Sequence, residues 1–225
     1  MLAENLVQIA GILDEVEAEM LQRCGVKYLG FPLRLAIHRE DISEEGAAQI
    51  MRGLQLPVFG VLITYLDDAR EIAALCASSG ARIVQLHADI GLEKLARLKK
   101  FAPELLIIKS LVVGLHPEDA LETMVEECSP LVDAFITDTY DAITGASGAT
   151  GRTHDWRISR RLVEMSQRPV ILAGGLNPEN VRQAILEVKP FGVDSHTGVE
   201  DASGRKCREK VEKFLSEAES GFRLL

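Results

Sequence analysis

A chain of 225 residues, 47% hydrophobic and 26% charged, has ample material for one large core and is not expected to be disordered. Asp and Glu total 34 against 25 Lys and Arg, a net charge of −9, and no basic run interrupts that balance. A nucleic-acid partner, which would require a clustered basic face, is therefore excluded as the main task.

In chain order, short apolar runs alternate with amphipathic segments. LVQIA (6–10) predicts a strand, followed by a helix over 13–23 that Gly25 stops. VKYLGF (26–31) predicts the second strand and 44–53 its helix; VFGVLI (58–63) and 68–79 make the third unit, ended at Gly80. RIVQLH (82–87) precedes a helix over 92–100, and LLIIKS (105–110) precedes one over 118–128 that Pro117 opens. LVDAFIT (131–137) leads to 156–167, and PVILAG (169–174) to 178–187, with Asn177 as cap and Pro178 at the first position. FGVD (191–194) and 204–218 complete the series.

Eight strands and eight helices in strict alternation, at about 28 residues per unit, predict a single-domain (β/α)8 TIM barrel over residues 1–225. No Pro- or Ser-rich linker divides the chain. An open doubly wound sheet is the rival architecture, but its GxGxxG fingerprint is absent: the first turn reads Ala10-Gly11-Ile12.

Four cysteines, Cys24, Cys76, Cys128 and Cys207, are scattered with no CxxC or Cys/His cluster, so no metal site is expected and the thiols fit a reducing cytoplasm. No basic segment leads into an apolar start, and no uncharged apolar run approaches the roughly 18 residues of a membrane span. A cytoplasmic protein with no membrane partner is expected. Periodicity does not separate an exposed apolar helix face from a buried one, so it specifies no oligomeric state.

Barrel enzymes place their chemistry at the C-terminal ends of the strands. That rule selects Ala10, Phe31 to Arg34, Thr64, His87, Lys109, Asp138, Gly174 to Asn177 and Asp194 to Gly198. Gly174, Gly175 and Asn177 stand before a helix N-terminus, where amides and the helix dipole favour an anion. Ser195, Thr197 and Gly198 add hydroxyls and a close backbone approach in the neighbouring loop, and the two loops together predict a phosphate cradle. Asp138 follows a buried run, with Gly145, Gly148 and Gly151 in the loop beyond it. Shielded there from water, its carboxyl would keep its proton to high pH and suit general acid duty; the alternative is a turn or capping aspartate.

The segments LAGGLNPENV, GVD…GVE, GATG…HDW, VQLH and FITD together resemble the phosphoribosylanthranilate isomerase family, over roughly Val7 to Leu215. The resemblance implies a barrel of the ribulose-phosphate-binding type that needs no cofactor. Its reaction, a step of tryptophan biosynthesis, is an Amadori rearrangement of an N-linked phosphoribosyl aminoaldose to an aminoketose, so the partner is a small phosphorylated sugar. It further implies Asp138 as the acid, phosphate held by Gly174, Gly175, Ser195, Thr197 and Gly198, and Asp194 near the reacting nitrogen and ribose. Arg34 or Arg39 would hold the aromatic carboxylate, and His87 belongs to the family pattern.

One departure bears on the chemistry. The family's base is a cysteine in a Lys-Ile-Cys-Gly context, and here that place reads Gln8-Ile9-Ala10-Gly11. Cys24, near the far end of the first helix, does not replace it. The last turn reads Ser195-His196-Thr197 where a hydrophobic residue and two serines are usual, and Ala88 stands where glycine is usual. His196, at the mouth of the barrel, is the candidate replacement base. His38, His116 and His154 fall in loops and read as solvated, with His154 close to the Asp138 loop. Two alternatives stay open: an isomerase or a Schiff-base enzyme on another phosphorylated sugar, the latter using Lys109, or a catalytically impaired phosphosugar-binding barrel.

Overall fold

A computed structural model describes residues 2–35, 40–141, 146–147 and 153–225. Eight strands run parallel: β1 (Leu6–Ala10), β2 (Tyr28–Leu33), β3 (Phe59–Thr64), β4 (Ile83–Leu86), β5 (Leu106–Val113), β6 (Ala134–Asp141), β7 (Val170–Leu172) and β8 (Gly192–Ser195). β8 returns to β1 through the pairs Gln8↔Asp194 and Ile9↔Ser195, which closes the sheet into a ring and leaves no barrel edge. A two-residue segment, Ala146–Ser147, pairs antiparallel with the extended end of β6.

The helices α1 (Glu15–Arg23), α2 (Glu44–Gly53), α3 (Ala69–Ser79), α4 (Leu92–Phe101), α5 (Glu118–Cys128), α6 (Trp156–Met165), α7 (Val181–Val188) and α8 (Arg208–Phe222) follow the strands in turn. Local chemistry sets their starts. Asp14, Ser43, Asp68 and Asp155 each accept from first-turn amides of α1, α2, α3 and α6. Gly80 ends α3 in the left-handed region at φ +77.

Period-two alternation divides each strand between two cores. One set of residues, among them Ile9, Leu29, Phe31, Leu62, Val84, Ile107 and Phe135, faces the helices. The other set, Leu6, Tyr28, Val61, Ile83, Ile108, Ala134, Ile136 and Ile171, packs the lumen. Continuing the lumen set toward the C-terminal ends replaces apolar residues with Gln8, Gln85, His87, Asp138 and Asp194, all buried. The barrel thus has an apolar floor and a polar upper layer.

Two sequence expectations need correction. β5 runs on to Val113 and β6 to Asp141, so Lys109 and Asp138 lie within strands rather than at their ends. Asn177 stands, as expected, just before Pro178: its Oδ1 accepts from the Glu179 and Asn180 amides and its carbonyl from Val181, through a turn over 178–180 that runs into α7. None of the described helices is long and apolar enough to cross a membrane.

Candidate active site

A cavity of about 500 Å³ opens over the polar layer at the C-terminal ends of the strands. Its wall includes Ala10, Asp138, Asp194, His196, the Gly174–Leu176 turn and the Ser195–Gly198 turn. Many of the residues that the strand-end rule selected line this cavity.

The turns after β7 and β8 are fastened to each other. Ser195 Oγ donates to the Leu176 carbonyl at 2.8 Å, and a Cβ at Gly198 would lie 1.9 Å from that same oxygen. Only glycine permits this approach. Gly174 and Gly175 take φ of +95 and +65, which an L side chain rarely adopts, and Asn180 Nδ2 holds the Gly175 carbonyl at 3.0 Å. Gly174, Gly175, Ser195, Thr197 and Gly198 all line the cavity beside a single turn of 3₁₀ helix, Thr197–Val199. Asn177 lies outside the wall; its Oδ1 accepts from the amides of Glu179 and Asn180 and so shapes the turn.

Asp138 is 6% exposed, and its Oδ1 accepts from the Thr139 amide at 2.7 Å. Burial, with the negative charge of Asp194 adding to it, pushes its carboxyl up to about 7. Asp194 also rises to about 7 through burial, against the lowering effects of a hydrogen bond from Gln8 and the charge of Lys206. A group that titrates near neutrality is about half protonated there and can both give and retake a proton, the balance a general acid needs. His87 is different. Burial and the nearby Lys109 charge push it down to about 3, so its 4.0 Å approach to Asp138 is not an ion pair.

His196 stands beside the gap left by Ala10. A Cβ on Gly11 would meet its ring at 1.9 Å, and continuing the Ile9–Ser195 register brings Ala10 and His196 level. Two carboxylates attend the imidazole, Glu200 at 3.5 Å and Asp41 at 3.8 Å from Nε2. Behind it Lys206, its side chain wholly buried, donates to Glu200 at 2.6 Å, while Glu17 accepts from the Lys206 amide and so ties the turn after β1 to this wall. Asp41, Glu200 and Lys206 carried no strand-end signal; only the folded chain brings them to His196.

Other expected residues lie elsewhere. Arg34 is outside the cavity wall, its guanidinium engaged by Glu44 at 2.7 Å. Arg39, His38, Gly145, Gly148 and Gly151 fall outside the described residues. Lys109 is in phase with the helix-facing set, and its ammonium donates to the Ala88 and Ser110 carbonyls, away from the cavity. That direction removes the Schiff-base alternative. His154, read as solvated, is instead largely shielded. Its ring bonds Thr139 Oγ1 at 2.9 Å and Ser159 Oγ at 2.5 Å, and burial pushes it down to about 4.

The remaining wall is apolar, with Leu13, Pro32, Leu35 and Ile63 beside Tyr65. The cavity accordingly has a glycine-lined corner, a pair of buried carboxyls and a hydrophobic shelf.

Comparison with known proteins yields a consistent set of similarities. Residues 8–217 match the family described as N-(5′-phosphoribosyl)anthranilate (PRA) isomerase. A relative named N-(5′-phosphoribosyl)anthranilate isomerase 2, from Methanosarcina mazei, is 38% identical over 221 residues, covering 96% of this chain and 95% of that protein. The crystal structure of phosphoribosyl anthranilate isomerase from Thermotoga maritima superposes with a TM-score of 0.80 at 30% identity, covering 96% of this chain and 99% of that one. A phosphoribosyl anthranilate isomerase in complex with reduced 1-(o-carboxyphenylamino)-1-deoxyribulose 5-phosphate superposes with a TM-score of 0.78 at 28% identity, with the same coverage.

Proposed function

The chain belongs to the N-(5′-phosphoribosyl)anthranilate isomerase family, and from that premise we propose that it converts N-(5′-phosphoribosyl)anthranilate to 1-(o-carboxyphenylamino)-1-deoxyribulose 5-phosphate. The observation that carries the reading is Asp138. It is a buried carboxyl that holds its proton to about 7, in one cavity with a glycine-lined anion corner.

In this reading the phosphate rests on the Gly174–Gly175 and Ser195–Gly198 turns, and the aromatic ring lies against Leu13, Pro32 and Tyr65. Asp138 gives its proton to the ribose ring oxygen. The C1′–O bond breaks, the nitrogen lone pair forms the C1′=N bond, and an open-chain iminium results. A base then takes the C2′ proton, its electron pair forms the C1′=C2′ bond and the C1′=N pair returns to nitrogen; the enolamine becomes the ketone as C1′ takes a proton back from the base and the C2′ hydroxyl proton passes to the Asp138 carboxylate. With Ala10 in the place of the family's cysteine, His196 is the group we assign to C2′, oriented by Glu200 and Asp41. Asp194 holds the substrate's ribose and nitrogen side, and Arg39 is the candidate for its carboxylate.

Four free thiols support a reducing, cytoplasmic setting for the reaction. The test is direct. Purified protein is mixed with N-(5′-phosphoribosyl)anthranilate and the loss of its fluorescence is followed. Turnover above background that Asp138→Asn abolishes supports the reading; a rate indifferent to that substitution removes it.

A further inference from the structure

We propose that Gln8 and Gln85 form a hydrogen-bonded strut across the barrel lumen that fixes the proton of His87 on Nδ1 and so joins Asp194 to Asp138. The proposal deepens the isomerase reading, on which only its kinetic consequence rests.

The strut is laid out by four contacts. Gln8 hydrogen-bonds the Asp194 carboxylate. Gln8 Nε2 donates to Gln85 Oε1 at 2.9 Å, reaching from β1 to β4. Gln85 Nε2 lies 2.7 Å from His87 Nε2. His87 Nδ1 lies 4.0 Å from Asp138 Oδ2 and has no hydrogen-bond partner. All five side chains belong to residues no more than 9% exposed, so an unmade bond among them is costly.

Donor and acceptor rules then leave one direction along the chain. Gln8 turns its NH2 group toward Gln85, and Asp194, once ionised, can only accept from that same group. The second hydrogen of that NH2 group goes to Gln85, which accepts through Oε1. Gln85 therefore has only its own NH2 group to offer His87, and Nε2 of the ring must accept. The ring proton is left on Nδ1, facing Asp138. Two amides in series carry the charge state of Asp194 to the tautomer of a histidine on the far side of the lumen.

The groups around each end are few. Asp138 faces His87 from β4, Asp194 from β8 and the amide of Thr139 on its own strand. His87 faces the Tyr65 ring, centroids 5.3 Å apart, and feels the Lys109 charge from β5. Asp194 faces Gln8 and the Lys206 charge. His87 remains neutral throughout, so it serves as an oriented dipole and not as a proton carrier. When Asp138 surrenders its proton, the Nδ1–H already points at the new carboxylate and closes on it. Gln8 and Gln85 are positioning residues, acting on the acid through His87.

Nitrogen NMR of the full chain labelled at histidine reads the tautomer without any substrate. The wild type is expected to show a one-bond N–H coupling on His87 Nδ1 and none on Nε2. Gln85→Glu, which can only accept, is expected to move the proton to Nε2. Gln85→Leu is expected to abolish the preference and to raise the alkaline limb of the kcat/KM profile by about one pH unit, because the donor that favours ionised Asp138 is gone. A His87 protonated at Nε2 in the wild type overturns the proposal, even if both variants fail to fold. So does a Gln85→Leu protein with unchanged tautomer and unchanged limb. Absence of all turnover would instead count against the isomerase reading, leaving the tautomer result standing.

Discussion

Asp138 and Asp194 share a water-poor layer, and the same burial that suits one of them to acid catalysis costs the fold stability. Each has a native value of about 7 against 3.8 for the free side chain. Below 3.8 both forms of the chain bind these protons, and the native state loses nothing by burial. Between 3.8 and about 7 the unfolded chain releases them while the native state retains them, so stability falls as pH rises through that window. Asp138→Asn is therefore expected to raise Tm by about 5 °C above neutrality, an advantage that shrinks to nothing toward pH 3.8. Calorimetry across that range checks it; a Tm gain independent of pH would show that charge is not the cause. The same variant should lose about 10²–10⁴-fold in kcat through loss of the acid.

Ala10 and His196 make a complementary pair of tests at the same scale. Replacing His196 with Asn should lower kcat by about 10²–10⁴-fold if it is the base, with the acid step intact. Ala10→Cys places a thiol where the family carries one, level with His196, and should recover at least about tenfold in the His196→Asn background. No recovery would mean that the cavity is not shaped for a base at that position. Ala10 and His196 were both legible as strand-end residues. Their proximity was not, because it depends on closure of β8 onto β1 across the whole chain length.

At the scale of elements, the turns after β7 and β8 act as one unit because Ser195 bonds Leu176 and Gly198 leaves no room for a side chain. Gly198→Ala should part the two turns. Inhibition by inorganic phosphate is expected to weaken by about tenfold, with a parallel rise in KM and a smaller change in kcat. Unaltered phosphate affinity would exclude this corner as the anion site. The β6–α6 connection is pinned differently, by His154 between Thr139 and Ser159. Sequence pattern placed His154 in a loop, and loops are solvated by default. It could not show that the His154 imidazole comes to rest against Thr139, the residue next to Asp138. Strand lengths were misread for a related reason: Lys109 and Ser110 interrupt the apolar run of β5, which goes on through residues 111–113, and β6 continues past its apolar run to pair with them.

For the molecule as a whole, charge and site are at odds. The chain carries −9, and among the described residues the cavity wall contains no Lys or Arg. In the proposed reading, a phosphorylated, carboxylated substrate would approach this surface against its field until the glycine amides take over. Added salt should screen that repulsion. Raising ionic strength from low to physiological is expected to increase kcat/KM, by roughly twofold or more, before specific anion competition reverses the trend. A monotonic fall from the lowest salt would point to a cationic approach path instead.

The residue order was sufficient to determine the barrel: a two-residue alternation in each apolar run and a helical period between runs leave few architectures for eight repeated units. It was also sufficient to place a carboxyl and two glycine turns on one rim, since successive strands of a parallel ring deliver their ends to the same side. Tertiary structure alone decided which groups touch. The lumen brings residues 77 positions apart, Gln8 and Gln85, to 2.9 Å, and selects Asp41, Glu200 and Lys206 as the company of His196. Periodicity reports the face a side chain takes, whereas the acidity of Asp138 and the direction of the amide strut depend on distances across the barrel, and these exist only once the ring is shut.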